Sequence, residues 1–283
     1  MSMPNRQFDV VGKSVPRADG LEKVTGHARY AADVSMPGML IGKVLRSPHA
    51  HARIVAIDTS DAKRIPGVHV VLTADDTPKI PWGFFIADQY PLSLGKVRYI
   101  GEEVAAVAAC DAVTAEAAVR AIKVTYEELP AVFDAEKSMQ PGAPSIHEVE
   151  NNVAAHFKIE RGDVEKALAS ADVVVDETFE SMLQWQSALE MHGALADFHP
   201  SGKITIWSCL SGTYRARLQI AKAMGMDPGQ IRIIQTAVGG GFGGKSMDDN
   251  NAVITALLAK AARRPVQLIN SREDDFIAGR PRP

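Results

Sequence analysis

Val238-Gly239-Gly240-Gly241-Phe242-Gly243-Gly244-Lys245 is the stretch whose reading decides the fold. Five of its eight residues are glycine, so the backbone can take positive φ and another surface can come close. A run of this kind leaves a row of backbone N–H groups for an anionic or strongly polar ligand. Phe242 is the one large apolar side chain it presents. The preceding Gln230-Ile231-Arg232-Ile233-Ile234-Gln235-Thr236-Ala237 predicts a strand, and Asn251 to Ala262 predicts a helix. The loop therefore sits at a strand-to-helix junction, where a helix N-terminus adds positive potential.

Gly239 and Gly244 bracket four residues before Lys245-Ser246, which fits a nucleotide phosphate loop. A structural glycine-rich turn fits the same letters. The rest of the chain decides against both. At 283 residues the chain accommodates two ordinary domains. A net charge of −3 argues against a general nucleic-acid binder. No apolar run reaches the length of a membrane span, and Met1 to Phe8 holds no apolar signal core, which together lead us to expect a cytoplasmic protein. Cys110 and Cys209 stand far apart and form no paired motif; they are expected to be two buried thiols.

Working outward, residues 1 to about 20 are polar and are expected to be extended. Met39 to Arg46 and Arg53 to Asp58 predict strands around the turn Ser47-Pro48-His49-Ala50-His51-Ala52. His27, His49, His51 and His69 lack acidic or cysteine neighbours at ligand spacing and read as capping or solvent-facing side chains rather than a metal cluster. Val104 to Ala109 predicts a buried strand. Thr114 to Ala121 predicts an alanine-rich helix with Thr114 as its N-cap, and Ile122 to Glu127 alternates like a half-exposed strand. This unit closes a first domain at about residue 135, and residues 136–155 read as a linker. Beyond it, Asp163 caps a short helix from Val164 to Ser170, and Asp172 to Glu180 alternates as a strand. Ala194 to Phe198 and Lys203 to Ser208 predict two strands, and Tyr214 to Met224 predicts a helix. Ile254, Leu257, Leu258 and Ala261 give the helix after the glycine loop an apolar stripe, and Val266 and Leu268 mark an inner strand. We expect part of this surface to await a cover. The fold class expected is α+β.

Several ordered blocks resemble the molybdenum-binding large subunit of the xanthine dehydrogenase and aldehyde oxidase family, the molybdenum hydroxylases. They are Val15 to Gly20, Lys23 to Tyr30, Arg46-Ser47-Pro48-His49-Ala50, Gly67 to Asp76, Val97 to Glu102 and Tyr126 to Val132. In the second half they are Leu189-Glu190-Met191-His192-Gly193-Ala194 and the glycine loop. The resemblance implies an α/β-hammerhead domain over 1–135 and an incomplete molybdopterin-binding domain over 156–283. It places the loop beside a molybdenum–pterin cofactor, the cytosine dinucleotide form being the expected one. Gly240, Gly241, Gly243 and Gly244 would permit close approach, and Phe242 would flank the cavity or, alternatively, anchor the core. The activity implied is hydroxylation of an aromatic N-heterocycle or an aldehyde with water as the oxygen source. Electrons would leave through 2Fe–2S and FAD partner subunits.

The departures from the family pattern bear on the chemistry. A glutamine usually follows the strand that carries Trp207; here Ser211 stands in that place and becomes a candidate polar contact near the metal. Ser246 replaces the glutamate that follows the loop lysine in purine-oxidising members, which disfavours a purine. Gly101-Glu102-Glu103 stands for the usual Gly-Glu-Pro and reads as structural. The general-base glutamate and most pterin contacts are expected beyond residue 283, in a second molybdopterin-binding chain or a missing C-terminal half. The alternative is an inactive fragment or partner-binding piece.

Overall fold

The computed structural model describes residues 8–83, 86–246, 250–279 and 281; the extended reading of residues 1–7 lies outside them. The chain opens with α1 (Gly20–Val24), then β1 (Leu40–Arg46), β2 (Ala52–Asp58), α2 (Ser60–Arg64) and β3 (Val68–Thr73). Next come β4 (Lys96–Val97), β5 (Glu103–Ala109), α3 (Ala112–Ala121), β6 (Lys123–Glu128) and α4 (Ala135–Ser138). The second half holds α5 (Val164–Ala169), β7 (Gly193–Phe198), β8 (Ile204–Ser208), α6 (Thr213–Met224) and β9 (Ile231–Gln235). It closes with α7 (Asn250–Ala262), β10 (Val266–Ile269) and α8 (Arg272–Ala278).

Seven strands form one sheet in the order β3-β5-β1-β10-β7-β8-β9, and β4-β2-β6 form a second, three-stranded sheet. The large sheet joins strands from both halves of the chain. Its seam is the parallel pair β1–β10, with Leu40 opposite Val266 and Ile41 opposite Gln267. Gln267 Nε2 reinforces the seam by donating to the carbonyl of Val34 at 2.8 Å.

β5 shows why an uninterrupted apolar run suits this place. Successive side chains point to opposite faces. Ala106 and Ala108 enter the main core with α6 and α7, while Ala105 and Val107 pack with Ala62 of α2 and Ala118 of α3. Both faces are covered, so no polar alternation is needed. The helix α3 begins earlier than expected. Asp111, not Thr114, is the N-cap, and its carboxylate accepts the Thr114 N–H at 2.7 Å.

Val266 and Leu268 lie on an inner strand as expected, but the position of α7 overturns the expectation that this surface awaits a cover. This helix is buried on every side from Asn251 to Ala259, packed among the sheet and α6, and β10 lies in the sheet interior. A helix apolar all round is a core helix rather than a surface one. The apolar surface that does face water lies elsewhere. Asp172 to Glu180 forms no strand. It carries no regular element, and Val173, Val175 and Phe179 are exposed. Its alternation fits a strand, but a strand needs a hydrogen-bonded partner, and among the described residues this segment joins neither sheet. Cys110 is also exposed, contrary to expectation, because it stands one residue beyond the buried strand β5; Cys209 is buried.

Candidate functional site

The glycine loop leaves the end of β9 and runs to α7, as expected; residues 247–249, which would hold the helix cap, lie outside the described residues. What fixes the loop is a carboxylate from a distant segment. Glu190 Oε2 accepts the Gly239 N–H at 2.7 Å and the Lys245 Nζ–H at 2.7 Å, and Glu190 Oε1 accepts the Ala31 N–H at 3.3 Å. The Glu190 N–H donates to the Gly239 carbonyl at 3.1 Å. Both ends of the loop are therefore tied to one residue. A side chain at Gly239 would lie 2.6 Å from the Glu190 Cβ, so only glycine fits there.

Lys245 is 1 % exposed and spends its charge on Glu190. A phosphate-loop lysine has to reach its nucleotide, so this burial removes the nucleotide reading. Ser211 also faces the loop rather than open space. Its N–H and its hydroxyl both donate to the Lys245 carbonyl, at 3.1 and 2.7 Å. The hydroxyl hydrogen is committed, so Ser211 can offer a ligand only lone pairs.

The middle of the loop is different. Among the described residues, the backbone N–H groups of Gly240, Gly241, Phe242 and Gly243 have no acceptor, whereas that of Gly244 donates to the Gly241 carbonyl at 2.7 Å. Gly243 sits at φ +92°. Phe242 holds φ +47° and is 63 % exposed, so it is not a core anchor. A phenylalanine in the left-handed region is uncommon and costs about 1–2 kcal/mol. Its ring is held out by a backbone fixed at both ends. Gly241 is less constrained than its neighbours, since a Cβ there would make only an ordinary 3.6 Å contact. Four free donors, a projecting aromatic ring and a rigid base fit a polar, phosphate-bearing ligand.

Behind the loop lies a cavity of about 720 Å³, reached by Arg46, Glu102, Trp185, His192, Gly244 and Asn270. Arg46 crosses it, donating to Glu103 at 2.9 Å, Asp274 at 2.9 Å and Asn270 at 3.2 Å. Burial works against its charge, but the two carboxylates outweigh that and raise its pKa. Burial pushes the Glu102 carboxyl up to about 7, against the pull of Arg98. In the sequence, Glu190 and His192 are only letters of a motif; no local signal reveals their partners 55 and 83 residues away.

The four histidines read as solvent-facing or capping make ordinary contacts. His27 Nδ1 lies 2.8 Å from Thr25 Oγ1 and His49 Nδ1 lies 3.3 Å from Glu128. His51 is buried, with Nδ1 2.7 Å from the Pro130 carbonyl, and His69 Nε2 lies 3.2 Å from an Arg264 nitrogen. Among the described residues no group of three His, Cys, Asp or Glu side chains is placed to hold a metal, and no helix is long and apolar enough to cross a membrane.

Residues 25–130 match the family model for the aldehyde oxidase and xanthine dehydrogenase a/b hammerhead domain, and residues 146–283 match that for the molybdopterin cofactor-binding domain. The chain is 38 % identical over 264 residues to a probable xanthine dehydrogenase subunit of Bacillus subtilis strain 168, covering 93 % of this chain and 35 % of that protein. It is 35 % identical over 270 residues to the nicotinate dehydrogenase large molybdopterin subunit of Eubacterium barkeri, covering 95 % of this chain and 63 % of that one. Among solved structures, quinoline 2-oxidoreductase from Pseudomonas putida 86 superposes with a TM-score of 0.85 at 32 % identity, over 95 % of this chain and 36 % of that one. The chain thus spans only part of the relatives it matches. Over residues 25–130 and 146–283 it belongs to the xanthine dehydrogenase and aldehyde oxidase family of molybdenum hydroxylases, as a hammerhead domain followed by a molybdopterin cofactor-binding domain.

Proposed function

We propose that this chain is part of the molybdenum-binding subunit of a multi-subunit hydroxylase acting on an aromatic N-heterocycle or an aldehyde, with water as the oxygen source. The observation that carries the proposal is the row of free N–H groups from Gly240 to Gly243 beside the exposed Phe242. When bound, the molybdenum–pterin cofactor supplies the two-electron oxidation and the oxygen transfer. The residues of this chain hold and orient it. The loop donors meet its polar groups, Phe242 walls the reacting side, and the Glu190–Lys245 pair keeps both in place. Ser211, with its hydrogen committed to Lys245, accepts a bond and does not replace a glutamine amide as donor. Cytosine dinucleotide is the pterin form we propose, and 2Fe–2S and FAD subunits in the cytoplasm are the electron acceptors. Ser246, in place of an acid, argues against a purine substrate.

The rest of the molybdenum site comes, in this reading, from a further polypeptide segment, whether in the same chain or a second one. Supporting this, Phe157, Ile159, Val173, Val175, Phe179 and Met182, on either side of α5, are all exposed. So many exposed large apolar side chains within 26 residues support an interface here. The deciding experiment replaces Gly243 with Val in the assembled complex. A β-branched residue cannot hold φ +92° without strain. Pterin content is expected to fall to background while the hammerhead domain resists proteolysis as before. Normal pterin content would remove the loop from the site. The chain alone should hold no stoichiometric molybdenum by elemental analysis.

A further inference from the structure

His192 and Asp275 have no part in the function just proposed, yet they join the glycine loop to α8. The Asp275 side chain is 1 % exposed. Its two oxygens lie 3.3 Å from His192 Nδ1 and 3.2 Å from the His192 backbone N–H, and Oδ1 also accepts from Asn270 Nδ2 at 2.9 Å. On the other side of the ring, Nε2 lies 3.1 Å from the Gly244 carbonyl oxygen. Trp185 lies beside the imidazole, tilted by 40°, with ring centroids 6.0 Å apart.

A carboxylate and a carbonyl are both acceptors, so each ring nitrogen faces a group that needs a hydrogen. A neutral imidazole carries only one. With the hydrogen on Nδ1, a lone pair on Nε2 would face the Gly244 oxygen. With it on Nε2, a lone pair would face the Asp275 carboxylate. We infer that His192 is held as an imidazolium that pins the carbonyl side of the glycine loop to α8 and so positions the loop. This role belongs to the chain's own geometry and stands apart from the proposed reaction.

Among the described residues, the other charged groups near the ring are engaged with partners of their own. Arg46 of β1 is neutralised by Glu103 of β5 and Asp274 of α8. Arg98 is paired with Glu102 at 3.6 Å, and His147 lies 3.8 Å from Asp88. Arg272 of α8 turns to the carbonyls of Ala188 and Leu189, and Lys245 to Glu190. Among these groups, Asp275 is the charge in direct contact with His192. Burial works to raise the Asp275 pKa, but His192 and Asn270 outweigh it and hold the group ionised.

A group whose folded pKa is raised contributes stability below its unfolded value and loses it as pH rises through the folded value. The loop should therefore be tightly held at neutral pH and loosen only in alkali. The test follows the imidazole nitrogen resonances of the full chain with pH, assigning His192 among the eight histidines by its loss in His192→Gln. We expect a doubly protonated ring at about pH 7.5, titrating at least about one unit above the ordinary histidine value. In Asp275→Asn the same ring should titrate at least about one unit lower. Hydrogen exchange of the Gly239–Lys245 amides, corrected for intrinsic pH dependence, should then rise in step with that lower midpoint. A neutral ring in the wild type at about pH 7.5 overturns the inference, as does an Asp275→Asn midpoint equal to the wild type's. If Asp275→Asn fails to fold, the wild-type titration still decides; if His192→Gln does, the resonance whose midpoint moves in Asp275→Asn is assigned to His192, and the absence of any such resonance overturns the inference.

Discussion

The Glu190–Lys245 pair allows a quantitative test of how the loop is held. At 2.7 Å, with an effective dielectric of about 20, the gross attraction is about 6 kcal/mol. Much of it offsets the desolvation of two groups that are 1 % and 11 % exposed. Breaking the pair from one side costs more than its net contribution, because the remaining charge is left buried. Lys245→Met should therefore lower unfolding stability by about 3–5 kcal/mol. Glu190→Gln should cost a similar amount, since it leaves the ammonium unpaired and weakens the acceptor for Gly239 and Ala31. The double variant, with no buried charge left, should lose less than the sum of the two, by about 2–3 kcal/mol. Urea unfolding followed by tryptophan fluorescence measures all four corners, with Trp207 on β8 as reporter. Additivity within about 0.5 kcal/mol would refute a coupled buried pair. It would also reopen Lys245 as a ligand-facing residue.

Further outcomes follow from the same structure. Phe242→Gly should raise unfolding stability by about 1 kcal/mol by releasing the left-handed backbone; a fall in the urea midpoint would show that the ring packs rather than projects. Glu102, raised to about 7 from the 4.5 of a free carboxyl, binds its proton more tightly when folded. The stability it contributes is complete below the unfolded value and is lost as pH rises towards 7. Glu102→Gln should therefore match the wild type at about pH 4 and exceed it by up to about 3 kcal/mol at about pH 8; a gap that does not change with pH would count against this. Val175→Asp with Phe179→Asp should shift unfolding by less than about 0.5 kcal/mol, since both side chains face water. The same variant should lose capture by the remaining molybdenum-subunit segment in a pull-down, and retained capture would place the interface elsewhere.

Most strands were legible because their signals are local. Leu40–Arg46, Glu103–Ala109 and Lys123–Glu128 each carry a run or an alternation that burial then uses. The glycine loop was legible because its composition is extreme. The pairing of β1 with β10 was not, since nothing near Leu40 points to Val266. The same holds for the anchors of the site: Glu190 and Lys245 are separated by 55 residues, His192 and Asp275 by 83. Asp172–Glu180 shows the opposite case. Its alternation is plain in the letters, yet among the described residues no strand pairs with it.

The β1–β10 seam has a consequence for synthesis. β1 is translated more than 200 residues before its neighbour β10, the last strand among the described residues. Until residue 269 emerges, β1 and β7 each present an open edge that can pair with a neighbouring nascent chain. Contacts this distant in sequence also slow closure of the sheet. Chains stopped just before β10 should therefore accumulate as aggregates, while those extended past it should not. Equal solubility of the two on a sedimentation assay would mean that the early strands are shielded in some other way during translation.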